Sequence, residues 1–145
     1  MDSIHPLVVH FPIALLLSGV GLDSAALLLR RPHLHRIALW NMALGTLGAG
    51  AAVLSGLRAE AVAKHSFEIW KVMELHERLG ITTLILGLLI VGGRLLRRDC
   101  LPTGWRMAAL LVSVALLGTL SWGAYLGGRL VYEFGVGGRF GAPSP

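Results

Sequence analysis

With 145 residues, 54% of them hydrophobic, 14% charged and a net charge of +5, the chain is far poorer in charge than the roughly 25% usual in soluble domains. Its mean hydropathy of +0.69 is that of a membrane protein, and its arginines sit beside apolar runs with no aromatic-basic face or nucleic-acid motif, which excludes nucleic acid as the partner. The length suggests a single domain, and the lone Cys100 excludes a disulfide within it.

The first notable stretch is His5-Pro6-Leu7-Val8-Val9-His10-Phe11-Pro12. Asp2 and the absence of Lys or Arg ahead of the first apolar run point to a retained span rather than a cleaved leader. Two histidines at the mouth of a membrane helix are a functional-site hypothesis by default, because imidazole is a poor lipid-facing group. Pro12 suits a first helical turn, where its missing N–H is orphaned anyway; a single helix from Pro6 would be kinked there.

Four apolar runs follow, Phe11–Leu29, Ile37–Leu57, Leu79–Leu96 and Met107–Leu126, each of about 20 residues, the length a bilayer core demands. Only helices satisfy their own backbone in lipid at that length. The expected fold is therefore all-α, a four-transmembrane-helix bundle forming one integral domain. Asp23, deep in span one, is expected to meet Arg30, Arg36 or a backbone donor. His33 and His35 are expected in a solvated or headgroup-facing loop. Span two carries Gly45, Gly48, Ala49, Ala52 and Gly56. Such small residues serve close helix packing, or leave room for a flat cofactor against the backbone, with Gly48 the candidate contact.

Beyond span two, helix formers run to a turn at Lys64-His65-Ser66, with Ser66 placed to cap the next helix. His65, Ile69, Val72 and His76 then share one helical face, and Trp70 belongs to an interfacial belt. Span three offers only Thr82 and Thr83 as polar groups. Span four offers Ser113, Thr119 and Ser121 before a glycine-rich end from Gly127, which lacks a phosphate loop's lysine and has Arg129 placed to snorkel. Arg30, Arg31 and Arg36 in the first loop, and Arg94, Arg97, Arg98 and Arg106 in the third, face Asp99 alone. That density places both short loops in the cytoplasm and both termini on the periplasmic side.

This topology puts His5, His10, His65 and His76 on one side of the membrane. His10 and His76 precede parallel spans at matching depth, and bundles build cofactor sites from facing side chains of this kind. Two axial imidazoles in an apolar slot suit a b-type haem, with Glu74 or Glu77 accepting a second ring N–H and His5 and His65 as supporting groups or ligands of a second haem. No CxxCH occurs, so haem would be held non-covalently. A zinc or copper site from His10, His76 and Glu77 is the rival occupant.

The same residues carry a family resemblance. The opening His5–Leu15 stretch, the glycine-rich second span, His76 at the start of the third, and Gly127-Gly128-Arg129-Leu130-Val131-Tyr132 with Gly135-Val136-Gly137 resemble the bacterial four-helix membrane family called domain of unknown function 2231, over essentially the whole chain. The resemblance implies four transmembrane helices in the bacterial inner membrane and a haem-binding, cytochrome b-like character, sometimes alongside c-type cytochrome domains. It makes His5, His10 and His76 the family-type histidines, His65 less clearly so.

The expected role is electron relay between a quinone or membrane pool and a periplasmic redox partner, within a complex or homo-oligomer. The alternative is a non-catalytic membrane anchor without its own cofactor. So small a bundle leaves little room for a substrate chamber, which argues against a stand-alone enzyme. The lack of charged pairs inside the spans argues against an ion path.

Overall fold

A computed structural model describes residues 5–60, 66–96 and 103–136. They form a one-turn helix α1 (His5–Val8) and four long helices, α2 (His10–Leu28), α3 (Pro32–Glu60), α4 (Phe67–Leu96) and α5 (Thr103–Tyr132). Each long helix contains a stretch long and apolar enough to cross a membrane. The helices outrun the apolar spans at several ends, because good helix formers flank the lipid-length core.

α2 packs on α3, α3 on α4 and α4 on α5, while α2 and α5 touch only thinly. Short connections make consecutive helices antiparallel, so α2 and α4 run the same way and stand across the bundle from each other. Leu16, Met42 and Leu116 are completely buried at its centre, among Val20, Ala49 and Ile90. Leu47, Leu54, Leu88 and Leu111 are exposed, which suits helices that are apolar on all sides and solvated by lipid. Close approach is built into the α2–α3 contact. A Cβ on Gly19 would lie 2.7 Å from Met42 Cγ, and one on Gly45 would lie 2.9 Å from Leu16 Cγ.

α1 leads into α2 through Val9, which keeps helical angles (φ −66°, ψ −26°) and donates its N–H to the His5 carbonyl at 3.2 Å. The irregularity there follows from Pro12, which has no N–H to offer one turn back. α1 also rests on α3, and this carries His5 over the end of that helix.

The first loop is tighter than expected. Arg30 adopts a left-handed φ of 53°, and the Arg31 N–H reaches the Ala26 carbonyl at 3.0 Å, closing α2 in the manner of a Schellman cap. Pro32 then opens α3 as a first-turn proline. His33 and His35 therefore stand on a helix rather than in a loop. Asp23 correspondingly meets neither Arg30 nor Arg36. It accepts a hydrogen bond from His35 Nδ1 at 2.7 Å and pairs with Arg94 in the last turn of α4. α4 starts directly after Ser66, whose carbonyl accepts the Trp70 N–H at 3.0 Å. His65 lies outside the described residues.

Candidate functional site: a pair of imidazoles at one end of the bundle

The site is assembled by four helices: α1, α4 and the far ends of α3 and α5. α1 sets the His5 ring on Gly56 near the end of α3, where an added Cβ would lie 3.1 Å from His5 Cε1. α4 sets the His76 ring on Gly127 of α5, where the same probe gives 3.0 Å to His76 Cε1. Even an alanine at either position would force the imidazole to shift by a few tenths of an ångström. The two rings meet with centroids 6.2 Å apart and planes at 84°.

Hydrogen-bond accounting fixes where the protons sit. His76 Nδ1 lies 2.8 Å from the Gly123 carbonyl oxygen, which can only accept, so Nδ1 carries the hydrogen. Ser55 Oγ gives its hydrogen to the Ala52 carbonyl at 2.9 Å. It therefore accepts from His5 Nδ1, also at 2.9 Å. In both neutral rings Nε2 is left bare, with a lone pair to offer. A backbone or hydroxyl partner on Nδ1 with a free Nε2 is how ligating histidines are commonly oriented. Burial lowers the His5 pKa below the usual histidine value, the neighbouring His76 lowers it further, and the Ala52 carbonyl partly opposes both. The His5 lone pair is thereby kept available near neutral pH.

The pair opens on a cavity of about 790 Å³, walled by apolar and small residues such as Pro12, Ala49, Val53, Met73 and Leu120. That is the size and character of small-molecule and cofactor sites. His10 lines the same cavity and is exposed. The ring that meets His76 edge-on belongs to His5, not to the residue whose sequence position relative to span one suggested the match. Glu77 also lines the cavity. Neither acid supports an imidazole as expected: the His76 Nδ1–H is taken by Gly123, and Glu74 binds Arg78 at 2.6 Å.

Among the described residues, no group of three or more His, Cys, Asp or Glu is gathered to hold a bare metal ion. The three-ligand zinc or copper arrangement of His10, His76 and Glu77 is therefore not formed. Gly48 does not line the cavity; a Cβ there would lie 3.3 Å from Pro12 Cβ. It serves packing between α2 and α3, since glycine is what lets Pro12 sit close.

The family model described as predicted membrane protein, DUF2231, matches residues 1–139. The chain belongs to this family. Its members are by that description membrane proteins, in keeping with four apolar helices that make this a multi-pass protein in contact with the bilayer. No curated protein and no solved structure matches the chain.

Sequence reasoning missed Gly56, Gly123, Gly127 and Ser55 as members of the site. Gly56 and Gly127 were visible as small residues, but nothing local distinguishes a glycine under an imidazole from one under a leucine.

Proposed function

We propose that this family member binds a b-type haem between His5 and His76 and relays electrons between a quinone or membrane pool and a redox partner on the histidine side, taken as the periplasmic face of a bacterial inner membrane. The carrying observation is the geometry of the two rings. With a metal–imidazole bond of about 2 Å and a ring centre about 1 Å behind its nitrogen, two imidazoles opposite one another on one metal have centres about 6 Å apart. The 6.2 Å separation agrees with that arrangement. His5 and His76 would hold the iron of a haem and the apolar cavity would house its ring, whereas a bare ion needs more ligands than are gathered among the described residues.

In this reading His5 and His76 supply Nε2, and Ser55 and Gly123 hold the rings by Nδ1. Gly56 and Gly127 let the imidazoles lie flat on the helices. The largely apolar wall would lower the polarity around the iron and so shape its potential. Bound haem would supply a one-electron iron couple; a c-type cytochrome is the class of partner suited to the periplasmic side. Purified protein examined oxidised and dithionite-reduced is expected to show a Soret band and sharp reduced bands. Iron-free protein from haem-replete cells, with no Soret band, refutes the proposal.

A second reading, a membrane anchor subunit, is favoured by a separate observation. Gly21 and Gly118 are exposed, with nothing within 4 Å of an added Cβ, as a surface for close packing by partner helices would require. It predicts that bulky residues at these two positions break assembly while the histidines are dispensable.

A further inference from the structure

Residues 71 positions apart meet one another at both ends of this bundle. Asp23 pairs with Arg94 at that separation, and His5 and His76, at the same step, bring their rings together. The seats of the two imidazoles repeat at the same step. His5 lies on Gly56, with added-Cβ distances of 3.1, 3.5 and 3.6 Å to Cε1, Nδ1 and Nε2; His76 lies on Gly127, with 3.0, 3.5 and 3.7 Å to the same atoms. The carbonyl one turn before each seat has a part in the hold on Nδ1: Gly123 accepts the His76 Nδ1–H directly, and Ala52 fixes Ser55 Oγ, which accepts from His5 Nδ1. At mid-depth Gly48 packs on Pro12, and at the same step Thr119 sits 2.9 Å from Thr83. α3 begins at Pro32 and α5 at Thr103, again the same step apart. Most side chains have diverged, so the repeat shows in contacts rather than in identities.

We infer that the chain consists of two equivalent units, about residues 5–60 and 76–131, related by a pseudo-two-fold axis along the bundle, and that the histidine site lies on this axis, so that one planar metal tetrapyrrole per chain is gripped by two equivalent imidazoles. The ligand named here rests on the haem proposal; the axis stands without it. Parallel repeats with an axis along the membrane normal are a known way of building membrane bundles. An off-axis site would occur in two copies, whereas an on-axis site occurs once, which fixes the stoichiometry. The axis also assigns the ligands: the counterpart of His10 is Ile81, which carries no donor, so His10 lies outside the symmetric pair.

Paired cysteines in the full-length protein, in membranes and with Cys100→Ser, test the axis. An added Cβ on Gly80 lies 3.7 Å from Val53 Cγ2, so Val53→Cys with Gly80→Cys should cross-link on oxidation. The axis then requires that Val9→Cys with Ala124→Cys, the equivalent pair, also cross-link, in lower yield because α2 and α5 pack less closely than α3 and α4. The first link without the second overturns the axis. Hemin titration into the apo-protein tests the ligand. Saturation at one hemin per chain is expected, with His5→Ala and His76→Ala each turning a six-coordinate spectrum five-coordinate and weakening hemin binding by factors within about threefold of each other. The Val53–Gly80 link, formed in each variant, reports that it is folded. Two hemins per chain, or one histidine silent while the other abolishes binding, overturns the on-axis site. No hemin binding by the wild type removes the haem proposal and the ligand assignment, and leaves the cross-links to decide the axis.

Discussion

The two ends of the bundle use the same kind of residue to opposite ends. Around Asp23 each of the interacting groups is committed to another: the carboxylate takes His35 on one oxygen and Arg94 on the other. Around His5 and His76 each ring spends one nitrogen on the protein and keeps the other free, above an apolar cavity. At the Asp23 end charged and polar side chains bind one another across the bundle; at the histidine end two imidazoles are anchored to the helix frame and face an apolar cavity, where a ligand can reach them. The Asp23 cluster is accordingly the fastening of the bundle and the imidazole pair its working end.

That contrast can be broken by substitution. Removing either imidazole, as His5→Ala or His76→Ala, should lower haem retention by more than about tenfold with little change in unfolding, read as haem-to-protein ratio after purification. Arg94→Ala should do the reverse. The Asp23 and Arg94 side chains are only 15% exposed, so losing one partner should destabilise the protein by about 3 kcal/mol, measured by denaturant unfolding in detergent, while absorption of the folded fraction stays unchanged. A haem deficit in Arg94→Ala at full folding would erase the distinction between the two ends.

Smaller changes sharpen it. Gly127→Ala forces a contact near 3.0 Å on the His76 ring and should weaken haem binding several-fold without abolishing it. Acid should act at the histidine end. The His5 pKa is lowered on folding by burial first and by His76 second. The unfolded chain therefore binds the proton more readily, and this contribution to stability, with the lone pair itself, is present above the ordinary histidine value of about 6.5. Both are lost as pH falls below it toward the lowered value. Haem occupancy should hold from neutral pH upward and decline on acidification, followed by absorbance. The smallest effect is expected from Ser55→Ala, which removes one acceptor from His5 at about 1 kcal/mol and shows as a slightly faster haem loss.

How far this was legible in the sequence differs between fold and site. The four helices could be read directly, because a bilayer-length apolar run leaves the backbone no other choice. Ser66 before α4 was equally readable from its capping chemistry. The histidine contact was not, since counting residues from the start of a span treats the helix as straight and ignores α1 resting on α3. Nor were His35 and Arg94 readable as partners of Asp23. A histidine three positions after Pro32 looks like loop until the proline is seen to open a helix, and Arg94 comes into reach only through packing across the bundle. The 71-residue step was present in the chain throughout, but it links His to His and Gly to Gly at few places, and elsewhere links Asp23 to Arg94, which no search for like residues would pair.

Asp23 also sets an order of events during insertion. His35 is 12 residues away, in the same hairpin, so the carboxylate has a companion as soon as α2 and α3 enter the bilayer together. Arg94 is 71 residues away and arrives only with the far end of α4. The first hairpin can thus wait in lipid with its acid already hydrogen-bonded, and the docking of α4 turns a provisional contact into a permanent latch.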